Sequence, residues 1–201
     1  MCPSKPLMKN SCITMKAEEL ELLKRHFPEA AVEKVGEMFT QRRFMLHFKR
    51  PRSSKLGDFR PPRTPKGICS ITLNLDLNPY QMLVTYVHEV AHYDMYLQYG
   101  SRRVQPHGPE WQACFASLLQ PFLNETVFPN DVLAALNRHL RHIKASSTAD
   151  LNLQRVMHRY DPIPDNSTTL EALPDGARFM LKDKSLDRKS VVGKECRSRW
   201  S

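Results

Sequence analysis

The sequence predicts an α+β fold in which a small mixed sheet packs on one long helix and on further helices. Three patterns carry this expectation. Ile71, Leu73, Leu75 and Leu77 alternate with Ser70, Thr72, Asn74 and Asp76, a period of two that specifies a strand with one buried face. Phe44, Leu46 and Phe48 alternate with Met45, His47 and Lys49 in the same way. Elsewhere, apolar residues recur every three or four positions, as amphipathic helices require.

The chain has 201 residues, enough for one domain with a sizeable core. Residues 1–14 carry no period and are expected to be disordered, the folded domain is expected to span 15–182, and 183–201 is expected to be a disordered tail. Asp187 to Ser201 resembles translated synthetic adapter sequence, so that tail is expected to be partly non-native.

Within the domain, Leu20, Leu22, Leu23 and Phe27 fit a short helix ending at Pro28, with His26 on its surface. Ala31, Val35, Met38 and Phe39 mark a second. After the strand at 44–48, Lys49 to Lys66 holds seven basic residues against one acid, Asp58, and four prolines interrupt it. This reads as a basic loop. Arg50, Arg52, Lys55, Arg60 and Arg63 are its candidate contacts to nucleic acid or substrate, and Asp58 between Gly57 and Phe59 suits a turn.

The next helix has legible ends. Asn78 suits the N-cap, Pro79 the first helical position, Gln81 a capping box and Gly100 the stop. Leu83, Val84, Val87, Val90, Ala91 and Met95 give it an apolar face. A further helix is expected from Glu110 to Leu119, opened by Gly108 and Pro109. Asn130 caps another, in which Val132, Leu133, Leu136, Leu140 and Ile143 form the stripe and His139 and His142 belong to an exposed basic face. Ser147 and Asp150 resemble a capping box ahead of Leu151, Leu153, Val156 and Met157. A loop over 161–176 leads to a last strand, Ala177 to Leu181.

The first long helix carries His88-Glu89-Val90-Ala91-His92. Histidines four apart lie on one helix face, so both imidazoles can reach one ion, while Glu89 is placed to act as a base on water activated there. From His92 the helix runs on about 10 Å to Tyr99, and residues 100–106 can span about 23 Å when extended. His107 can therefore return to the same ion. Metal ligation by His88, His92 and His107 with Glu89 as general base is hydrolase chemistry. Glu110 competes as third ligand on the thermolysin-like pattern, and is better read as a residue that orients a ligand or caps the helix. The metzincin spacing would need glycine and histidine where Met95 and Gln98 stand.

The H-E-V-A-H motif, the fifteen-residue step to His107, the run His107-Gly108-Pro109-Glu110-Trp111, and the segments Lys55-Leu56-Gly57-Asp58-Phe59-Arg60 and Ile71-Thr72-Leu73-Asn74 resemble the SprT-like family, which includes the Spartan proteases. The resemblance runs from about residue 18 to about 182. It implies a zinc metallopeptidase fold of the minimal gluzincin kind with Zn2+ as cofactor. For the Spartan branch it implies cleavage of DNA-bound or DNA-crosslinked proteins. The cysteine-rich zinc ribbon that some members carry has no counterpart in this sequence.

Five cysteines, widely spaced and without a C-x-x-C pair, fit reduced thiols rather than a disulfide framework. No apolar run reaches membrane-spanning length and Met1 to Asn10 lacks a secretory signal, so a cytoplasmic location without a membrane partner is expected. The net charge of +9 is compatible with a polyanionic partner such as DNA. The strand from Ser70 to Leu77 is a candidate for main-chain pairing with protein substrates, and Tyr93 and Tyr99 are candidate oxyanion donors. The rival reading is a zinc-stabilised nucleic-acid-binding module without turnover, against which the presence of Glu89 argues.

Overall fold

A computed structural model describes residues 15–52, 55–100, 105–141, 150–162, 174, 178–181 and 184–187. The chain divides into two compact units, 1–164 and 165–201. The first is a mixed α+β unit with a three-stranded sheet and six helices among the described residues.

Helix α1 (Ala17–His26) begins with half of a capping box, in which the Lys16 backbone N–H donates to Glu19 Oε2 at 2.8 Å. It stops before Pro28, as the missing N–H of proline requires. Its Leu23, with Phe27 just beyond it, enters the core at 2–3 % exposure. Helix α2 (Val32–Thr40) buries Val32, Val35 and Met38. His26 is not simply a surface residue, because its ring stacks on Phe48 at 4.9 Å.

Strand β1 (Phe44–Lys49) runs parallel to β3 (Cys69–Asn74), with Phe44 opposite Cys69 and Phe48 opposite Leu73. Strand β2 (Gly57–Arg60) lies on the other side of β3, antiparallel, with Gly57 opposite Leu73 and Phe59 opposite Ile71. Two expectations change here. The basic segment is not a loop throughout, since β2 interrupts it. The expected strand at 70–77 is the centre of the sheet, with both edges occupied, so it has no edge left for an extended substrate; the free edge on that side belongs to β2.

The strand also ends earlier than its alternation suggested. Leu75 is 45 % exposed and lies in a turn. Asn74, by contrast, is buried on the face expected to be wet. Its carboxamide accepts from Arg52 Nε at 2.9 Å and donates to the Lys55 and Arg52 carbonyls. These bonds satisfy a polar group that would be costly to bury alone, and they fix the chain as it enters β2.

Helix α3 (Pro79–Tyr99) is the core of the unit. Asn78 Oδ1 accepts from the Gln81 N–H at 3.0 Å as an N-cap, and Asn78 Nδ2 donates to the Met157 carbonyl and to Asp161 Oδ1. One residue thus starts α3 and anchors the end of α6 (Leu151–His158). Gly100, at φ 65°, ends α3, a left-handed position that glycine adopts without cost. Helix α3 is covered by α4 (Pro109–Leu119), whose Trp111, Cys114, Phe115 and Leu119 are buried.

Helix α5 (Asn130–Arg141) buries Val132, Ala135 and Leu136. His139 is also buried, at 2 %, contrary to the basic face expected of it. Its Nδ1 meets Asp150 Oδ2 at 3.1 Å, and the same Asp150 caps α6 by accepting from the Asn152 and Leu153 N–H groups. Asp150 is therefore itself the cap; Ser147 and His142 lie outside the described residues.

In the second unit β4 (Arg178–Leu181) pairs antiparallel with β5 (Lys184–Asp187). The last strand expected is present, and residues 184–187, assigned to the tail on sequence, form its partner. The expected disordered segment 1–14 and, of the expected tail 183–201, residues 183 and 188–201 lie outside the described residues. No helix among the described residues is long and apolar enough to cross a membrane.

Candidate metal centre

His88 and His92 lie one turn apart on α3, and His107, just before α4, faces them. The three Nε2 atoms form a nearly equilateral triangle, with separations of 3.2, 3.0 and 3.2 Å. Tetrahedral zinc with bonds of about 2.0–2.1 Å would hold its ligands about 3.3 Å apart, so the donor spacing suits such an ion. Three ring nitrogens converging on one point would all be satisfied at once by a cation between them. The group could hold a metal ion.

Electrostatics prepare these rings as neutral ligands. Burial depresses the basicity of His88 well below the ordinary histidine value, helped by His92 and His107. Burial, then His107, lowers His92 to about 4, and burial lowers His107. Neutral imidazole is the form that binds metals.

His107 does not ride on a helix. It sits in the turn before α4 with φ 60°, a left-handed conformation that costs a non-glycine residue about 1 kcal/mol or more. The turn is closed by the Gly108 N–H donating to the Gln105 carbonyl at 2.9 Å, and Gln112 Nε2 donates to the His107 carbonyl at 2.9 Å. Trp111 walls the cluster, its ring centroid 4.6, 5.2 and 4.7 Å from those of His88, His92 and His107. Phe115 stacks on Trp111 at 5.0 Å and also approaches His88, at 6.0 Å between ring centroids. Sequence reasoning assigned no role to Trp111 or Gln112. Spacing was the available signal for part of this, since Trp111 and Phe115 are four apart on α4 and share one face.

Glu89 points from α3 towards β2 and is 7 % exposed. Burial raises its carboxyl to about 7; the Phe59 backbone N–H opposes this, Asp58 adds to it, and Lys55 and Arg52 oppose it. A carboxyl poised there can exchange a proton near neutral pH. A cavity of about 140 Å3 opens beside His92 and His107, lined by Met95, Tyr96, Tyr99 and Trp111.

Other expected site residues are placed differently. Glu110 is exposed in the first turn of α4, where its charge favours the helix N-terminus; no hydrogen bond joins it to a ring among the described residues. Tyr93 is turned away, its hydroxyl accepting from the Arg43 N–H at 3.0 Å, whereas Tyr99 lines the cavity. Of the basic candidates, Lys55 and Arg60 both pair with Asp58, at 2.7 and 2.6 Å, and Arg52 is bonded to Asn74. Asp58 thus serves ion pairs on β2 rather than a turn. Arg50 and Arg63 are exposed.

Comparison with curated proteins gives no match, and neither does comparison with solved structures. The family model described as the SprT-like family matches residues 24–132, more than half of the chain. The match runs from α1 into α5 and includes all three histidines, Glu89, the β2 segment and Trp111. With the whole histidine cluster inside a match of this extent, the chain belongs to the SprT-like family.

Proposed function

We propose that the protein is a zinc-dependent peptidase of the minimal gluzincin kind, in which His88, His92 and His107 hold Zn2+ and Glu89 is the general base. Its substrates are proteins bound or crosslinked to DNA. The observation that carries this reading is the pairing of a convergent three-imidazole cluster with a buried carboxyl on the adjacent residue of the same helix. A purely structural metal site has no use for that carboxyl.

Zinc held there would supply Lewis-acid polarisation of a peptide carbonyl and lower the pKa of water. Glu89 takes the proton from the attacking water and passes it to the leaving amine, a transfer suited to a carboxyl held near 7. Trp111 and Phe115 keep one side of the rings dry. The outer edge of β2, next to Glu89, offers main-chain hydrogen bonds to an extended polypeptide, which favours shape over side-chain identity and gives broad cleavage. Arg50 and Arg63 have charges available for phosphate, while Arg52, Lys55 and Arg60 have partners within the protein.

The test is cleavage of a DNA-binding protein, with and without single-stranded DNA, by the parent and by Glu89→Gln at matched zinc content. DNA-stimulated cleavage that disappears in the variant is expected. DNA binding without cleavage by the parent would replace this reading with that of a zinc-stabilised binding module.

A further inference from the structure

Gly57, at the start of β2, is needed for space and not for backbone freedom. Its φ lies outside the left-handed range, where Gly100 alone among the described glycines is found. A Cβ built on it would stand 2.7 Å from Glu89 Oε1, 2.8 Å from Glu89 Cγ and 2.8 Å from Thr85 Cγ2. Real Cβ contacts essentially never come so close. Residues 85 and 89 are one turn apart on α3, so β2 lies directly against the helix face that carries the carboxylate.

We infer that Gly57 is a positioning residue, whose missing side chain forms the cradle that sets where the Glu89 carboxylate points. This rests on the peptidase reading above. The register supports it, because Gly57 pairs with Leu73 and Phe59 with Ile71. Positions 57 and 59 therefore face α3 together. Gly57 leaves room for the carboxylate while the Phe59 backbone N–H acts on it, so one strand supplies both the space and a hydrogen-bond donor. A methyl group at 57 would meet two kinds of neighbour. Thr85 Cγ2 is fixed close to the helix, whereas Glu89 has three rotatable bonds, so the cheapest relief swings the carboxylate away and leaves the fold in place.

The experiment compares the parent with Gly57→Ala, Thr85→Ser, Glu89→Ala, and the double variants Gly57→Ala/Thr85→Ser and Gly57→Ala/Glu89→Ala. It reads kcat and KM on a protein substrate, bound zinc, and the urea midpoint. Gly57→Ala should lower kcat at least tenfold with KM and zinc content within twofold of the parent. Removing the Thr85 methyl group should recover part of the urea midpoint, the Glu89 contacts remaining, and leave kcat low, which a merely structural role would not do. The loss of midpoint caused by Gly57→Ala should shrink in the Glu89→Ala background, a readout independent of turnover and usable if the single variant folds poorly. A parent that turns over beside a Gly57→Ala protein with kcat within twofold of it would overturn this inference alone. Additive midpoints in the Glu89→Ala cycle would also overturn it. A parent without turnover would overturn the peptidase reading and this inference with it.

Discussion

Arg42 meets Asp94 through two parallel hydrogen bonds, Nε to Oδ1 at 2.9 Å and Nη2 to Oδ2 at 2.8 Å. Asp94 follows His92 by two residues on α3, and Arg42 lies between α2 and β1, where it also donates to the Met38 carbonyl. This pair locks the helix that carries His88 and His92 to the first edge of the sheet. Both side chains are less than a third exposed, so Asp94→Ala leaves a guanidinium partly buried without its partner. A loss of about 1–3 kcal/mol in unfolding free energy is expected from urea denaturation, and reversing the pair with Arg42→Asp/Asp94→Arg should recover only part of it, because the fork geometry is not symmetric.

Removal of metal should destabilise the protein without unfolding it. Leu23, Phe27, Val35 and the buried face of α3 form a core that does not depend on the three rings. Ligand linkage gives about 4 kcal/mol of extra stability at a metal concentration a thousandfold above Kd. Thermal melts in EDTA and in excess zinc should therefore differ by several degrees, each with one cooperative transition. A chelated protein without near-ultraviolet circular dichroism would contradict this expectation.

Trp111 is buried, and its Nε1 has no hydrogen-bond partner among the described residues, so its contribution there is shape. Trp111→Phe keeps an aromatic wall and should retain one bound metal per chain. Trp111→Ala opens a cavity next to all three imidazoles, with an expected cost of about 3–5 kcal/mol and weaker metal retention on dialysis. Atomic absorption after dialysis separates the two variants.

Tyr93→Phe removes the acceptor of the Arg43 N–H and nothing at the metal cluster. It should lose about 1 kcal/mol of stability and leave kcat unchanged. A tenfold fall in kcat at unchanged stability would restore Tyr93 as a participant in the reaction.

The junction of α5 and α6 should weaken in acid. Burial opposes ionisation of Asp150, but the Leu153 N–H and His139 outweigh it, and the carboxyl is held below its ordinary value. A depressed carboxyl contributes stability that is present above its unfolded pKa of about 4 and is lost as pH falls through the lower folded value. The sign is therefore destabilisation below about pH 4, and Asp150→Asn should flatten that part of the stability profile. Urea midpoints between pH 3 and 6 for both proteins measure it.

The histidine cluster was legible because its information is local. Two ligands are fixed by the helical repeat, and the third only had to lie within reach of the chain. Asn78, Pro79 and Gly100 marked α3 because caps act on neighbouring residues. Tertiary partners were not legible in the same way. The polar face of β3 is buried because it is the central strand, which alternation cannot reveal. His139 was expected on an exposed face, yet Asp150, beyond the next connection, supplies the partner that lets it be buried. The basic residues after β1 counted as free charge until Asp58 and Asn74 were seen to engage three of them.

The left-handed turn at His107 makes the third ring unlike the other two. His88 and His92 are preset on a rigid helix, whereas His107 is held against its own backbone preference by a turn that Gln112 braces. That turn is a loaded spring, and glycine at 107 would adopt the same backbone without cost and remove the spring together with the ring.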